Sequence, residues 1–520
     1  MMQATAAKTT RRQVLAAGAV LGGGLILGFY LVSGSGSQEG RGNKTAKPGG
    51  FAPNAWLRIA PDNRISILVD KSEMGQGIMT ALPMILAEEL DADWSLVGAE
   101  FAPANPAYAN PLLAMQMTGG STGVASSWDT LRRAGAQARA MLLAAGAARL
   151  GVPQAECRTE QSRVVHIPSG RTLTYGELAD AASELPVPKT VTLKSKSEYR
   201  LIGRPLGRLD TRAKVDGGAV FGVDVKLDGL LTATVIHPPV FGASLARFEG
   251  DRARGMAGVV DVLAIPAGVA VVADSYWHAS RAAAALAIEW TAAPNHAVDD
   301  AAIRARLAAR KDEDGSAVRE DGAVKDALAA AAKVLTATYE TPYQAHCTPE
   351  PMNCTARVTA ERCEIWVPTQ AQTIAQSVAA AVTGLDNARI DVHTTFLGGG
   401  FGRRIEPDIV AEAVELSKRL RAAVKVIWSR AEDLQHDHYH PATVIEMKAG
   451  LSEDGAVRAW SHHLVSPSHM AGLMPYHRIA RVPARLPGWL RSGLSGVGSF
   501  FVDEGVFREQ ATEGASNLPY

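Results

Sequence analysis

Cysteine is scarce: four in 520 residues, Cys157, Cys347, Cys354 and Cys363, with no C-x-x-C pair among them. That spacing excludes a disulfide scaffold and argues against ferredoxin-type iron–sulfur ligation within the chain, so any electrons it handles leave through another protein. Net charge is also missing. Lys and Arg total 53 and Asp and Glu total 53, so no global field favours nucleic acid or an acidic partner. Two hydrolytic signatures fail. His436 and His440 stand four apart, but Asp437 takes the place of the glutamate of H-E-x-x-H and Pro441 argues against a helix. The one G-x-S-x-G match, Gly119–Gly123, reads as a glycine-rich loop in which Ser121 donates hydrogen bonds rather than as a nucleophile elbow, and no internal repeat is convincing.

What is present is a globular composition, 47% apolar and 20% charged, long enough for two to four domains. The amino terminus carries an address. Lys8, Arg11 and Arg12 precede an uncharged run from Val14 to Gly34, which reads as a twin-arginine-like signal or a membrane anchor over residues 1–34. Either places the body outside the cytoplasm, in the periplasm or on the periplasmic face of a bacterial inner membrane. A polar linker follows over 35–53.

Hydrophobic periodicity divides the rest into an α+β chain. "AWLRIAPDNRISILVD" reads as two short strands about a Pro-Asp-Asn turn, and Met79, Leu82, Ile85 and Leu86 recur at helical spacing. Glycines from Gly119 to Gly123 lead into a helix expected near Ser126 or Ser127. These units make a first segment over 54–190, followed by an extended connector over 191–217. Over 218–290, the strand candidates "LLTATVIHP", "VVDVLAIP" and "GVAVVAD" alternate with helices expected at 241–248 and 280–287. A linker with a surface helix spans 291–333. The last segment, 334–520, carries the strands "VLTATYETPYQAH", "NCTARVTAERCEIWVPTQ", "ARIDVHTTF" and "AVKVIWSR".

The stretch "FLGGGFGRR" lies between a strand and a helix, as a nucleotide turn would. The Rossmann spacing fails, because a third glycine is required where Arg403 stands. What survives is a run of residues that lets a ligand approach the backbone, with amides near a helix start able to form an anion-friendly nest. Arg403 and Arg404 either add charge to that nest or form a solvated helix start with Glu406 or Asp408. "QHDHYH" places His436, His438 and His440 on one face if it is a strand, a candidate copper or zinc site; a solvated row is the alternative. "HCTPEPMNC" presents Glu350 rigidly beside His346 and Asn353. Gln370, between a strand and a helix, either donates its amide to an oxo or phosphate oxygen or substitutes for a helix cap.

Taken in order, "KSEMGQG", "TGGSTGVASSW", "RLDTRAKVDGGAVFGVDV", "HCTPEPMNCTA", "VPTQAQT" and "FLGGGFGRR" closely resemble the molybdenum-binding large subunit of the xanthine oxidase/aldehyde oxidase superfamily, isoquinoline 1-oxidoreductase beta-subunit type. The resemblance covers nearly everything from Asn54 to Tyr520. It implies a multidomain molybdenum-hydroxylase large-subunit fold with an a/b hammerhead domain over 218–290. It implies a molybdopterin cytosine dinucleotide whose dithiolene holds the metal, with no protein metal ligand. Gln370 would hydrogen-bond an oxo group, and Phe401 and Gly402 would lie against the metal. Gly75, Gln76, Gly77, Gly120, Ser121, Thr122, Gly399, Gly400 and Arg403 would be further cofactor contacts.

The chemistry implied is hydroxylation of an aldehyde or N-heteroaromatic carbon with oxygen from water, a glutamate taking the proton. Electrons would pass to a small subunit with [2Fe-2S] clusters and onward to a c-type cytochrome. The family's glutamate belongs to a carboxyl-terminal GxxGEP-like segment that this sequence does not contain. The expectation is therefore a truncated or split large subunit with weak or absent hydroxylase activity by itself. The alternatives are an inactive scaffold or dinucleotide-binding protein, and a periplasmic metal binder using the three histidines.

Overall fold

The computed structural model describes residues 51–111, 115–315, 317 and 319–467. The 1–34 signal or anchor, most of the 35–53 linker and the part of 334–520 beyond 467, with His469, lie outside these residues. Among the described residues, no helix is long and apolar enough to cross a membrane.

The chain opens with a four-stranded sheet of Phe51–Asn54, Leu57–Ile59, Ile65–Val69 and Val97–Phe101, in that order. Leu57–Ile59 and Ile65–Val69 are the predicted antiparallel pair. The last two strands run parallel, so a crossover is required, and the helix Ile78–Leu90 supplies it. Its periodic residues Met79, Leu82, Ile85 and Leu86 are all buried, each worth about 1.5–3 kcal/mol against exposure. Against it packs the helix Gly123–Leu150, which begins a few residues before the expected start. The two backbones approach so closely that a Cβ added at Gly135 would sit 2.4 Å from the Leu86 carbonyl oxygen.

A seven-stranded sheet forms the second layer, in the order Val259–Ile265, Gly268–Ala273, Leu231–Ile236, Val424–Ile427, Asn353–Val358, Cys363–Val367, Ile390–Thr394. The three strands read from the 218–290 segment are therefore continuous with four strands from the segment beyond 334. The join is the parallel pair Val424–Ile427 with Leu231–Ile236. Helices Gln372–Thr383 and Asp408–Leu420 cover this sheet, burying Ile374, Val378, Ile409, Val410 and Val414. A separate three-stranded sheet pairs Lys333–Thr341 with Thr443–Leu451 and that with Val457–Val465.

Two expectations are corrected. Residues 241–248 do not form a helix; Leu245–Glu249 is a strand paired with Ala287–Trp290, where Arg247 meets Glu289 at 2.6 Å across the ladder. The helix expected at 280–287 is Tyr276–Ala283, displaced toward its Ser275 cap, which accepts from the His278 amide. In the first case pairing with Ala287–Trp290 outweighs local helix propensity, and the same strand takes Ala287 out of the second helix.

Candidate active site

Four loops named by sequence motif meet at one place. Each leaves a strand or enters a helix: 72–77 before Ile78–Leu90, 118–122 before Gly123–Leu150, 368–371 before Gln372–Thr383, and 395–404 after Ile390–Thr394. Gln370 joins three of them. Its side chain is buried, its Nε2 donates to the Thr118 carbonyl at 2.9 Å, and its Oε1 accepts from the Gly402 amide at 3.1 Å. Its backbone is tied in as well: Thr118 N–H donates to Gln370 O at 2.7 Å, and Gln370 N–H to Arg404 O at 2.9 Å. The helix cap is Ala371, so the capping alternative for Gln370 does not hold. Ser72 attaches the fourth loop, its amide donating to Thr118 Oγ1 at 2.8 Å and its hydroxyl to Thr369 O at 2.6 Å.

The glycines of "GGGFG" are required by close approach. A Cβ at Gly400 would lie 2.6 Å from Gln370 Oε1 and 2.7 Å from Met74 Sδ, and one at Gly398 would lie 2.4 Å from Glu350 Cβ. Glu350 is thus the floor beneath the glycines. Its carboxylate accepts from the amides of Gly398 (2.9 Å) and Val223 (3.2 Å) and from Asn353 Nδ2 (2.9 Å), which leaves it a scaffold role. Phe401, by contrast, is 58% exposed with φ +55°, a left-handed backbone that a phenylalanine adopts at a cost.

Of the other expected contacts, Gly75, Gln76, Gly120 and Ser121 are exposed around this cluster, Gly77 and Gly399 are partly buried, and Thr122 is buried. Gln76 folds back on its own loop, accepting from Met74 N and donating to Ser72 O, both at 2.8 Å. Thr122 accepts from Asn110 Nδ2 at 2.9 Å and donates to Gly119 O at 2.9 Å. The helix that follows has no side-chain cap. Its amides at Gly123, Val124 and Ala125 take no hydrogen-bond partner among the described residues, leaving roughly half a positive charge at this end.

Arg403 is corrected as a cofactor contact, and it is not a solvated helix start either. Its side chain is 1% exposed, donates to Asp408 at 2.7 Å, places Nε 2.9 Å from Asp437 and stacks over Trp428 at 5.3 Å. Arg404 is equally buried and donates to Gly399 O at 2.8 Å and to Glu350 O at 2.5 Å; burial pulls it down to about 10. Both arginines brace the loop from behind.

The three histidines of "QHDHYH" also separate. The segment is a loop, not a strand. His436 stacks on His237 at 4.0 Å, His438 lies 3.5 Å from Asp408, and His440 packs on His346 at 4.1 Å. Among the described residues no group of three or more His, Cys, Asp or Glu is arranged to hold a metal ion.

Sequence reasoning missed the residues that shape the first loop. Glu73, fully buried, accepts from the amides of Gly75 (2.9 Å), Gly77 (3.2 Å) and Met79 (3.1 Å) and pairs with Arg208 (3.0 Å) and Lys214 (3.2 Å). Burial pushes its carboxyl up, but the Met79 and Gly77 amides and the Lys214 charge outweigh that and hold it below the usual glutamate value. The signal was available in "RLDTRAK", where Arg208, Asp210 and Lys214 interlock and Arg208 also donates to Gly75 O at 2.9 Å.

Two domain families match the chain, each described as a molybdopterin cofactor-binding domain, one over residues 2–236 and one over 310–471. The chain is 33% identical to isoquinoline 1-oxidoreductase subunit beta of Brevundimonas diminuta over 82% of its own length and 60% of that relative's. It is 31% identical to a membrane-bound aldehyde dehydrogenase [pyrroloquinoline-quinone] of Gluconacetobacter polyoxogenes, over 80% of itself and 55% of the relative. Among solved structures, reconstituted CO dehydrogenase from Oligotropha carboxidovorans superposes with a TM-score of 0.41 at 19% identity, covering 50% of this chain and 39% of that one. The chain thus spans little more than half the length of these curated relatives.

Proposed function

We propose that the chain is a molybdopterin-binding large subunit of the xanthine oxidase/aldehyde oxidase superfamily, and that its four-loop cluster holds the molybdopterin, in the cytosine dinucleotide form, of a molybdenum hydroxylase acting on an aldehyde or N-heteroaromatic carbon. The observation that carries the reading is the double hydrogen bond of Gln370, which locks the 118–122 and 398–404 loops into one cradle. The cradle fits the group: Gly75, Gln76, Gly120 and Ser121 stand exposed around the cluster, with an exposed aromatic ring at Phe401, while Gly400 is closed by Gln370 and Met74.

When bound, the molybdenum–dithiolene centre supplies oxygen transfer from water and the two-electron change. The chain's own residues bind and orient. Gln370 keeps a second Nε2 hydrogen for an oxygen acceptor, and Phe401 and Gly402 wall one side. Gly120 and Ser121, exposed at the uncapped helix end, suit phosphate oxygens, while Thr122, its hydroxyl committed to Asn110 and Gly119, holds the turn that presents them. The loop 75–77, held open by Glu73 and Arg208, faces the same ligand from the opposite chain segment. With no C-x-x-C pair in the sequence, the electrons leave through a small [2Fe-2S] subunit and then a c-type cytochrome. Lys8, Arg11, Arg12 and the run from Val14 to Gly34 support export of the assembled protein to the periplasm.

Co-expression of the full chain with such a small subunit tests the reading. An added aldehyde or N-heteroaromatic is expected to bleach the cluster absorbance, and a molybdenum-loaded complex that no member of either class reduces would overturn it.

A further inference from the structure

The loop carrying His346 and the loop carrying Asp437 are joined by the bridge of Gln344 with His440, whose amide donates to Gln344 O at 2.8 Å. Within that clasp the His346 ring stands with Nδ1 3.0 Å from both Asp437 oxygens, and its backbone amide donates to Asp437 Oδ2 at 2.5 Å. Asp437 is buried and also meets Arg403 Nε at 2.9 Å and the His438 amide at 2.7 Å. Burial pushes its carboxyl up, but the His346 bonds and the Arg403 charge outweigh this and hold it below the usual aspartate value. Asp437 is therefore an anion at neutral pH, and Nδ1 of His346 is the nitrogen that carries hydrogen.

That fixes what the other nitrogen offers. Nε2 has no hydrogen-bond partner among the described residues, although the side chain is only 8% exposed. It faces Gly402: a Cβ built there would lie 3.6 Å away. The same peptide is the one whose amide Gln370 holds. The charged and titratable groups around the ring are Asp437, Arg403 behind it, Glu406 and the His440 ring at 4.1 Å. An imidazole held through one nitrogen by a buried carboxylate, with the other aimed at a ligand site, is an oriented proton acceptor.

We propose that His346, oriented by Asp437, takes up a proton at the Phe401–Gly402 face of the site. A water or hydroxyl standing over the Gly402 peptide gives its proton to Nε2. Nδ1–H stays on Asp437, and the imidazolium returns the proton to solvent. This rests on the cofactor reading above, which places the reacting atoms over that turn.

The first measurement is independent of cofactor. In the full chain with ring-15N histidine, the His346 resonance, identified by its loss in His346→Gln, is expected to show hydrogen on Nδ1 and a bare Nε2. Asp437→Asn is expected to weaken that preference, so that the neutral ring with hydrogen on Nε2 appears beside the one with hydrogen on Nδ1. Hydrogen on Nε2 of the neutral ring in the unsubstituted chain would overturn the proposal, even if Asp437→Asn fails to fold. The second uses the chain loaded and joined to its small subunit. His346→Gln is expected to keep wild-type molybdenum content, lose about 100-fold in kcat and lose the acidic limb of the pH profile. Full molybdenum with an unchanged profile would also overturn it. A folded chain without molybdenum would instead count against the cofactor reading, with the nitrogen resonances still deciding the state of His346.

Discussion

Phe401 carries a backbone conformation that its own side chain penalises, at φ +55° and with the ring 58% exposed. A non-glycine residue there costs about 1–2 kcal/mol, so glycine in its place is expected to leave the melting temperature unchanged or raised. Phe401→Gly is nonetheless expected to lose cofactor during gel filtration if the ring walls the proposed site; a variant both destabilised and cofactor-replete would refute the assignment. Gln370 predicts the opposite pairing of effects. Alanine there leaves the Thr118 carbonyl and the Gly402 amide without their partner, at about 1–3 kcal/mol for each buried group. Gln370→Ala is expected to lower the urea midpoint as well as slow turnover, and an unchanged midpoint would mean that the loops are held otherwise. Residue types alone made Gln370 and the glycines legible, because close approach admits few substitutes. Arg403 was not legible: an arginine at a helix start reads the same whether it meets solvent or lies beneath Trp428.

At the scale of elements, the site is braced from behind by a buried layer that no motif announced. His237, at the end of Leu231–Ile236, sits between Glu412 of Asp408–Leu420 and Glu432 of Arg430–Gln435, at 2.7 and 2.8 Å. Burial alone would depress the imidazole, but the two carboxylates outweigh it and hold it up at about 9. Since the folded value lies above the ordinary 6.5, the stabilisation is complete below about pH 6.5 and is lost as pH rises through about 9. The denaturation midpoint is expected to fall between pH 7 and pH 10, and to fall less in Glu412→Gln; parallel curves would contradict this layer. A second element-level test lies at the crossing of Ile78–Leu90 with Gly123–Leu150. Gly135→Ala sets a Cβ against the Leu86 carbonyl and is expected to cost about 1–3 kcal/mol in urea unfolding. The helices themselves were readable from their 3.6-residue period. Leu245–Glu249 was not, because only its pairing with Ala287–Trp290 makes it a strand.

Across the whole molecule, one seven-stranded sheet joins strands from the 231–273 stretch to strands from the 353–427 stretch, and the four motif loops gather beside it. The strands were legible as runs; their order was not, since nothing local says that Val424–Ile427 lies parallel to Leu231–Ile236. Such long-range closure explains why loops separated by some 300 residues share hydrogen bonds, as Ser72 does with Thr369 and Gln372. The central claim is that this gathering forms a molybdopterin cradle. Its most direct test is the molybdenum and cytidine nucleotide content of the folded, purified full chain co-expressed with the proposed small subunit. Molybdenum and nucleotide equimolar with the chain are the predicted result; a well-folded chain containing neither would contradict it.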